Sequence, residues 1–249
     1  MADTRLVKIE NLSKSFDDLH VLDDISLHTD RGENLIVFGQ SGTGKSVLLK
    51  CIIGLLKPDA GNIFINEENV LNMSTKELNE VRKRMGFLFQ GAALYDSMTV
   101  RENLEFPMKR IMHISQEKMD EKVMATLEMV SLQEAVDKMP SELSGGMRKR
   151  IGLARSIITD PELMLYDEPT TGLDPITSKE ISELILNLQN KLNMTSIVVT
   201  HDLICAEIIA DRAIFLRGGK IAFEGDIDDL TKSNDPFLKN FFSNKIIKA

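Results

Sequence analysis

Apolar residues recur along this chain with two different periods, and the order in which the periods change predicts an α/β architecture. Val7-Lys8-Ile9 and Ile25-Ser26-Leu27 alternate in steps of two, as half-solvated strands do, with the turn-prone Phe16-Asp17-Asp18 between them. Leu35-Ile36-Val37-Phe38 is instead an unbroken apolar run, suited to a central strand covered on both faces. The chain then crosses a glycine-rich loop into Ser46-Val47-Leu48-Leu49-Lys50-Cys51-Ile52-Ile53, a helix that Gly54 and then Pro58 would stop. Gly61 to Ile65 and Met85-Gly86-Phe87-Leu88-Phe89 predict two further strands.

The middle third changes period. Met119, Val123, Leu127 and Val130 recur at helical spacing, as do Met147, Ile151, Ala154 and Ile158, so residues near 91–158 read as a mainly helical insertion. Alternation of strand and helix resumes with Leu163-Met164-Leu165-Tyr166, a helix bearing Ile181, Leu184, Ile185, Leu188 and Leu192, and the strand Ser196-Ile197-Val198-Val199. Ala213-Ile214-Phe215-Leu216 and Lys220-Ile221-Ala222-Phe223, joined across Gly218-Gly219, predict a β-hairpin. With no internal repeat or heptad array, residues 1–249 are expected to form one domain with subdomains and a short C-terminal tail from about residue 224.

Composition narrows this picture in three ways. Charged residues make up 27% and hydrophobic residues 43% of 249, an ordinary soluble composition. No stretch approaches the ~18–20 apolar residues of a membrane span, so a membrane role must come through a partner. The net charge of −8 argues against a dedicated nucleic-acid binder. Cys51 and Cys205 lie inside apolar helical patterns, and buried free thiols are expected.

Gly39-Gln40-Ser41-Gly42-Thr43-Gly44-Lys45-Ser46 lies between a strand and a helix, the context in which such a loop holds phosphate. Its glycines let backbone amides converge on phosphate oxygens, and the helix N-terminus carries roughly half a positive charge toward the same anion. Lys45 supplies a point charge to the β- and γ-phosphates, and the Ser46 hydroxyl is a Mg²⁺ ligand. Asp167 ends an apolar strand and is placed to hold Mg²⁺ directly or through water; Glu168 is the candidate general base for an attacking water. Asp-Glu-Pro also fits a simple turn, a reading that the loop upstream disfavours.

Gln90 follows a strand, where its amide can contact Mg²⁺ and the lytic water; an exposed loop glutamine is the bland alternative. His201 follows an apolar strand and is placed to bond the γ-phosphate, whereas His20, His28 and His113 take a structural reading. Phe16 is either a stacking surface for adenine or a core ring. Arg82-Lys83-Arg84 and Arg148-Lys149-Arg150 read as solvated helix faces. Ser144, Gly145 and Gly146 repeat the logic of the first loop, small residues opening a helix, and make sense if they cap the nucleotide of another subunit.

Taken together, these segments resemble the ATP-binding cassette (ABC) ATPases, with Leu143-Ser144-Gly145-Gly146-Met147 standing as the signature sequence. The resemblance implies a P-loop NTPase core with an antiparallel β subdomain and an inserted α-helical subdomain. It implies ATP and Mg²⁺, a head-to-tail homodimer, inter-subunit communication through Asp174, and docking of the region after Gln90 onto an integral-membrane permease. A finer resemblance, to the ATPases of MCE-associated, Mla-type phospholipid transporters, rests on Val81-Arg82-Lys83-Arg84-Met85, Phe89-Gln90-Gly91-Ala92-Ala93-Leu94-Tyr95, Met139-Pro140-Ser141-Glu142-Leu143 with the signature, and Asp174-Pro175-Ile176-Thr177. It implies an MCE-domain lipid-binding partner and a peripheral location on the cytoplasmic side of the inner membrane. The chain departs from the wider superfamily at Met147, Phe16 and Ser46, where glutamine, tyrosine and threonine are common. An ABC-type regulator of a cell-wall or division complex, transporting nothing, is the alternative function.

Overall fold

The alternating N-terminal pattern closes into two long antiparallel strands, β1 (Arg5–Phe16) and β2 (Leu19–Asp30), in a computed structural model that describes residues 4–246. Phe16 ends β1, so the turn itself is Asp17 and Asp18. Next come β3 (Asn34–Gly39), α1 (Lys45–Ile52), β4 (Ala60–Ile65), β5 (Glu68–Asn69), α2 (Thr75–Arg82) and β6 (Met85–Leu88). The helical stretch supplies α3 (Val100–Ile111), α4 (Gln116–Met129) and α5 (Gly145–Ile157), as its periodicity predicts. After it the chain runs through β7 (Leu163–Asp167), α6 (Pro175–Leu192), β8 (Thr195–Val199), α7 (Leu203–Ile209), β9 (Arg212–Arg217), β10 (Lys220–Gly225), α8 (Ile227–Thr231) and α9 (Pro236–Ile246).

Two sheets result. The smaller is antiparallel, ordered β2-β1-β4-β5. The larger is ordered β10-β9-β3-β8-β7-β6, parallel throughout except for the β9–β10 hairpin at its edge. All six residues of β3 and all five of β7 and β8 are buried, the expected state of parallel strands covered on both faces. Because side chains alternate along a strand, neighbouring residues feed separate cores. Ile36, Phe38, Tyr166, Val198 and Phe215 pack toward the helical insertion, α6, α7 and α9. Leu35, Val37, Leu165, Ile197 and Ile214 pack toward α1 and the small sheet.

Apolar side chains between Ile227 and Phe242 join the first of these cores. Phe242 is 2% exposed, and its ring meets Phe38 edge-on at 5.5 Å, while Phe237 meets Phe215 at 5.6 Å. Both cysteines are buried and unpaired, as expected. The basic triplets are only in part the solvated faces that their charge suggests: Arg148 is exposed, but Arg82 and Lys149 turn inward. Arg82 donates from Nε to the Ile53 carbonyl at 2.9 Å and from Nη2 to Gly54 at 2.8 Å, closing off the end of α1. Lys149 is buried outright. A guanidinium or ammonium on a long stem can reach back to a carbonyl, which hydropathy cannot register.

Candidate functional site

The parallel strands β3, β6, β7 and β8 end at one rim of the large sheet, where open α/β sheets place ligand-binding groups. β3 runs into the glycine-rich loop, β6 leads to Gln90, β7 ends at Asp167, and β8 is followed by His201. Gly44 caps α1 with φ 94°, and a Cβ there would come within 2.8 Å of the Val21 carbonyl oxygen, so glycine alone fits. It has no side chain to accept from the first amides of α1, which therefore remain available as donors to an anion. Gln40 turns the loop back on itself, its carbonyl accepting from the Thr43 hydroxyl at 2.8 Å. Ser41 and Gly42 are left exposed at the crest, and Gly39 is buried at the base.

Lys45 lies beneath this loop and is 7% exposed. Its ammonium donates to the carbonyls of Gly39 at 2.9 Å and Gln40 at 3.0 Å and stands 3.7 Å from Glu168 Oε1. Burial pushes its pKa below the ordinary lysine value, against the pull of Glu168 and Asp167. Beside it, Ser46 Oγ donates to Asp167 Oδ1 at 2.7 Å, two oxygen groups of the kind a hard divalent cation takes. Among the described residues no group of three or more His, Cys, Asp or Glu side chains could hold a metal unaided.

Glu168 is held from several directions. Its carboxylate bonds His201 Nδ1 at 2.7 Å and accepts from the Thr171 hydroxyl at 3.1 Å, both through Oε2. Burial would raise its pKa, but His201, Lys45 and Thr171 outweigh burial and hold the carboxyl below its usual range, ionised at neutral pH. Its backbone adopts φ 51°, left-handed for a residue with a side chain, and its amide donates to the Val199 carbonyl at 2.9 Å. With His201 and Thr171 both on Oε2, a carboxylate so fixed at the strand ends has Oε1, 3.7 Å from the Lys45 ammonium, to offer as a proton acceptor to water.

The structure thus brings Lys45, Ser46, Asp167, Glu168 and His201 together. Gln90 reaches the same rim, where its carbonyl accepts from Lys149 Nζ. Phe16 stands at the exposed end of β1 with the Lys14 ammonium 5.3 Å from its ring centroid, so it is not a core ring. Ser144, Gly145, Gly146 and Asp174 belong to a second group. Ser144 caps α5, its Oγ accepting from the Met147 amide at 3.2 Å, with Ser144 and Gly145 exposed above the buried anchor Leu143. Asp174 caps α6, and the Thr177 hydroxyl at 2.6 Å lowers its carboxyl pKa.

Two residues were missed by sequence reasoning. Lys149 also donates to the Glu168 carbonyl at 3.3 Å, and Asn103, fully buried, binds the carbonyls of Tyr95, Met98 and Thr99 and the amide of Tyr95. The signal for Lys149 was present in Gly152, three residues on along the same face of α5, where a small residue admits a close neighbour.

Comparison with known proteins agrees with this geometry. Residues 22–171 match the family model described as ABC transporter. The chain is 41% identical over 230 residues to the intermembrane phospholipid transport system ATP-binding protein MlaF of Haemophilus influenzae, covering 92% of this chain and 87% of that protein. It is 36% identical over 241 residues to the probable ribonucleotide transport ATP-binding protein mkl of Mycobacterium leprae, covering 97% and 70%. Among solved structures, a dimeric ATP-binding cassette in a post-hydrolysis state, bound to ADP and Pi, superposes with a TM-score of 0.82 at 30% identity, covering 89% of this chain and 98% of that one. The matched residues include the loop on β3, the carboxylates at the end of β7 and the serine-capped helix α5, and the chain belongs to the ABC transporter family as an ATP-hydrolysing subunit.

Proposed function

We propose that this ATPase powers the movement of phospholipid between membranes through a separate permease, with Glu168 as the base of the hydrolytic step. The reading of the site rests on one observation: an ionised carboxylate, bonded to His201 at 2.7 Å, faces the buried Lys45 ammonium at 3.7 Å beside the Ser46–Asp167 pair. ATP seats its phosphates on residues 39–46, with Lys45 toward the β- and γ-phosphates and Phe16 against the adenine. Glu168 takes a proton from water, the water oxygen attacks the γ-phosphorus, and the bond to the β–γ bridging oxygen breaks, giving ADP and phosphate. His201 holds the carboxylate toward that water and is in reach of the γ-phosphate. Ser46, Asp167 and Gln90 are the groups that would hold Mg²⁺, which supplies charge neutralisation at the β- and γ-oxygens when bound.

Two copies pair head to tail in this reading, so that Ser144, Gly145 and Gly146 of one close over the ATP of the other, with Asp174 communicating between the sites. The segment after Gln90 docks on the permease, and an MCE-domain protein carries the lipid; no nucleic acid takes part. Among the described residues no helix is long and apolar enough to cross a membrane, which suits a peripheral subunit on the cytoplasmic side of the inner membrane. The cargo assignment is supported by the likeness to MlaF over 92% of the chain.

Glu168→Gln tests the chemistry. Turnover should fall by about 10²–10⁴-fold with ATP binding retained, because an amide cannot accept the proton; near-normal hydrolysis would remove Glu168 from the role. The cargo is tested by isolating the ATPase with its permease from membranes and identifying bound small molecules by mass spectrometry. Phospholipid is expected. Ribonucleotide other than the ATPase substrate would favour the activity named for the mycobacterial relative.

A further inference from the structure

We propose that Lys149 is a positioning residue for hydrolysis, tying α5, the helix that opens with Ser144, to the main chain of both Gln90 and Glu168. The inference rests on the reading of Glu168 as the base. One face of α5, made of Lys149, Gly152 and Arg155 at helical spacing, lies along residues 90–93. Lys149 Nζ donates to the Gln90 carbonyl, and Arg155 Nη1 donates to the Ala93 carbonyl. Between them Gly152 admits Ala92 so closely that an added Cβ would come within 2.8 Å of the Ala92 Cβ.

The segment so gripped is under backbone strain. Ala92 has φ 61° and Ala93 φ 50°, consecutive left-handed residues with side chains, a conformation that persists only where neighbours impose it. Glu168 is in the same condition at φ 51°, and its carbonyl accepts from Lys149 at 3.3 Å and from the Thr171 amide at 3.3 Å. A single ammonium, 6% exposed, therefore bridges the left-handed Glu168 to Gln90, two residues before the left-handed pair Ala92–Ala93, on segments that follow different strands. Both partners are carbonyls, so the tether acts on backbone position and persists when the Glu168 or Gln90 side chain rotates. Lys149 sits five residues beyond Ser144, about 7.5 Å along the helix axis. A small rigid-body shift of the opening of α5 thus reaches the water-activating groups through one side chain.

The test measures ATP turnover against ATP concentration, and nucleotide affinity by equilibrium binding, in the full-length protein carrying Lys149→Met, Lys149→Arg or Lys149→Gln. Lys149→Met should lower kcat by about 10–100-fold while leaving ATP affinity within about twofold, since misplacement and not binding is at issue. Lys149→Arg should recover kcat to within about fivefold, because a guanidinium can donate to both carbonyls. Lys149→Gln, which can hold one carbonyl, should fall between them, and it serves if the methionine variant does not fold. Wild-type kcat in the methionine or glutamine variant would overturn the proposal, and so would parallel loss of kcat and affinity with no rescue by arginine. Glu168→Gln measured alongside separates the two claims. If it still turns over, the base assignment fails; if it is dead while the Lys149 series is indifferent, only the tether fails.

Discussion

Two helices in this molecule open with small residues at an exposed rim, and they differ in how their first amides are used. α1 begins after Gly44, which offers no side-chain acceptor, and its first turn is backed by the buried Lys45 ammonium. α5 begins after Ser144, whose hydroxyl already accepts from Met147, and no acidic residue lies in its first turn. The first opening is a complete cradle within one chain: amides, a cation, a metal-competent hydroxyl and a carboxylate all converge on it. The second carries exposed Ser144 and Gly145 and begins with two glycines where α1 begins with a buried lysine; its nearest cation in sequence, Arg148, is exposed and donates to the Leu143 carbonyl at 3.3 Å. In the proposed reading, similar local chemistry thus serves different roles, one for grasping a nucleotide and one for completing a site from outside.

The sharpest way to break that contrast is to disable each opening in turn. Lys45→Ala should abolish ATP binding and turnover together if, as proposed, the buried cation serves the phosphates. Ser144→Arg should spare binding to the monomer while preventing ATP-induced dimerisation, with turnover reduced by about 10²-fold or more. Mass in solution, measured with and without ATP, distinguishes them; a Ser144→Arg protein that still dimerises on ATP would place the two openings in unrelated roles. Phe242→Ala probes the footing of the first opening alone, since its ring packs on Phe38, the residue before Gly39. A loss of about 3–5 kcal/mol in unfolding free energy is expected from denaturant titration. Phe16→Ala should weaken ATP binding by about tenfold, in keeping with ~1–3 kcal/mol for an aromatic stacked on a base, without changing the kcat at saturation.

The smallest expected effect is on the thiols. Burial pushes the Cys51 pKa up to about 11 and that of Cys205 up to about 12, so at pH 8 only about one thiol in a thousand or fewer is thiolate. Neither should react with a maleimide in the native protein, and both should react once it is denatured. Labelling of native Cys51 would show that α1, and the loop before it, opens in solution.

Much of the first opening was legible in the sequence, because an apolar run, a glycine loop and a helix constrain one another locally. The same holds for Asp167 and Glu168 at the end of a buried run, and for the hairpin turning at Gly218 and Gly219, whose φ values of 56° and 78° require such residues. What escaped was non-local. Lys149 looked like one charge in a solvated triplet, since hydropathy cannot show that its head reaches carbonyls 59 and 19 residues away. Arg212 likewise gave no signal, although it bonds Glu33 at 2.7 Å and the His28 carbonyl at 2.6 Å and so fastens β9 to the end of β2. The tail was similarly opaque: Phe237, Phe241 and Phe242 gain meaning only when Phe38 and Phe215 are found opposite them.

That last arrangement bears on how the protein matures. The strand leading into the phosphate loop is synthesised early, yet the aromatic rings that seat Phe38 arrive some two hundred residues later. A nascent chain can form the loop's local geometry well before it has anything firm to stand on. Full seating of Phe38 therefore waits on Phe241 and Phe242, long after the loop that follows it has been made.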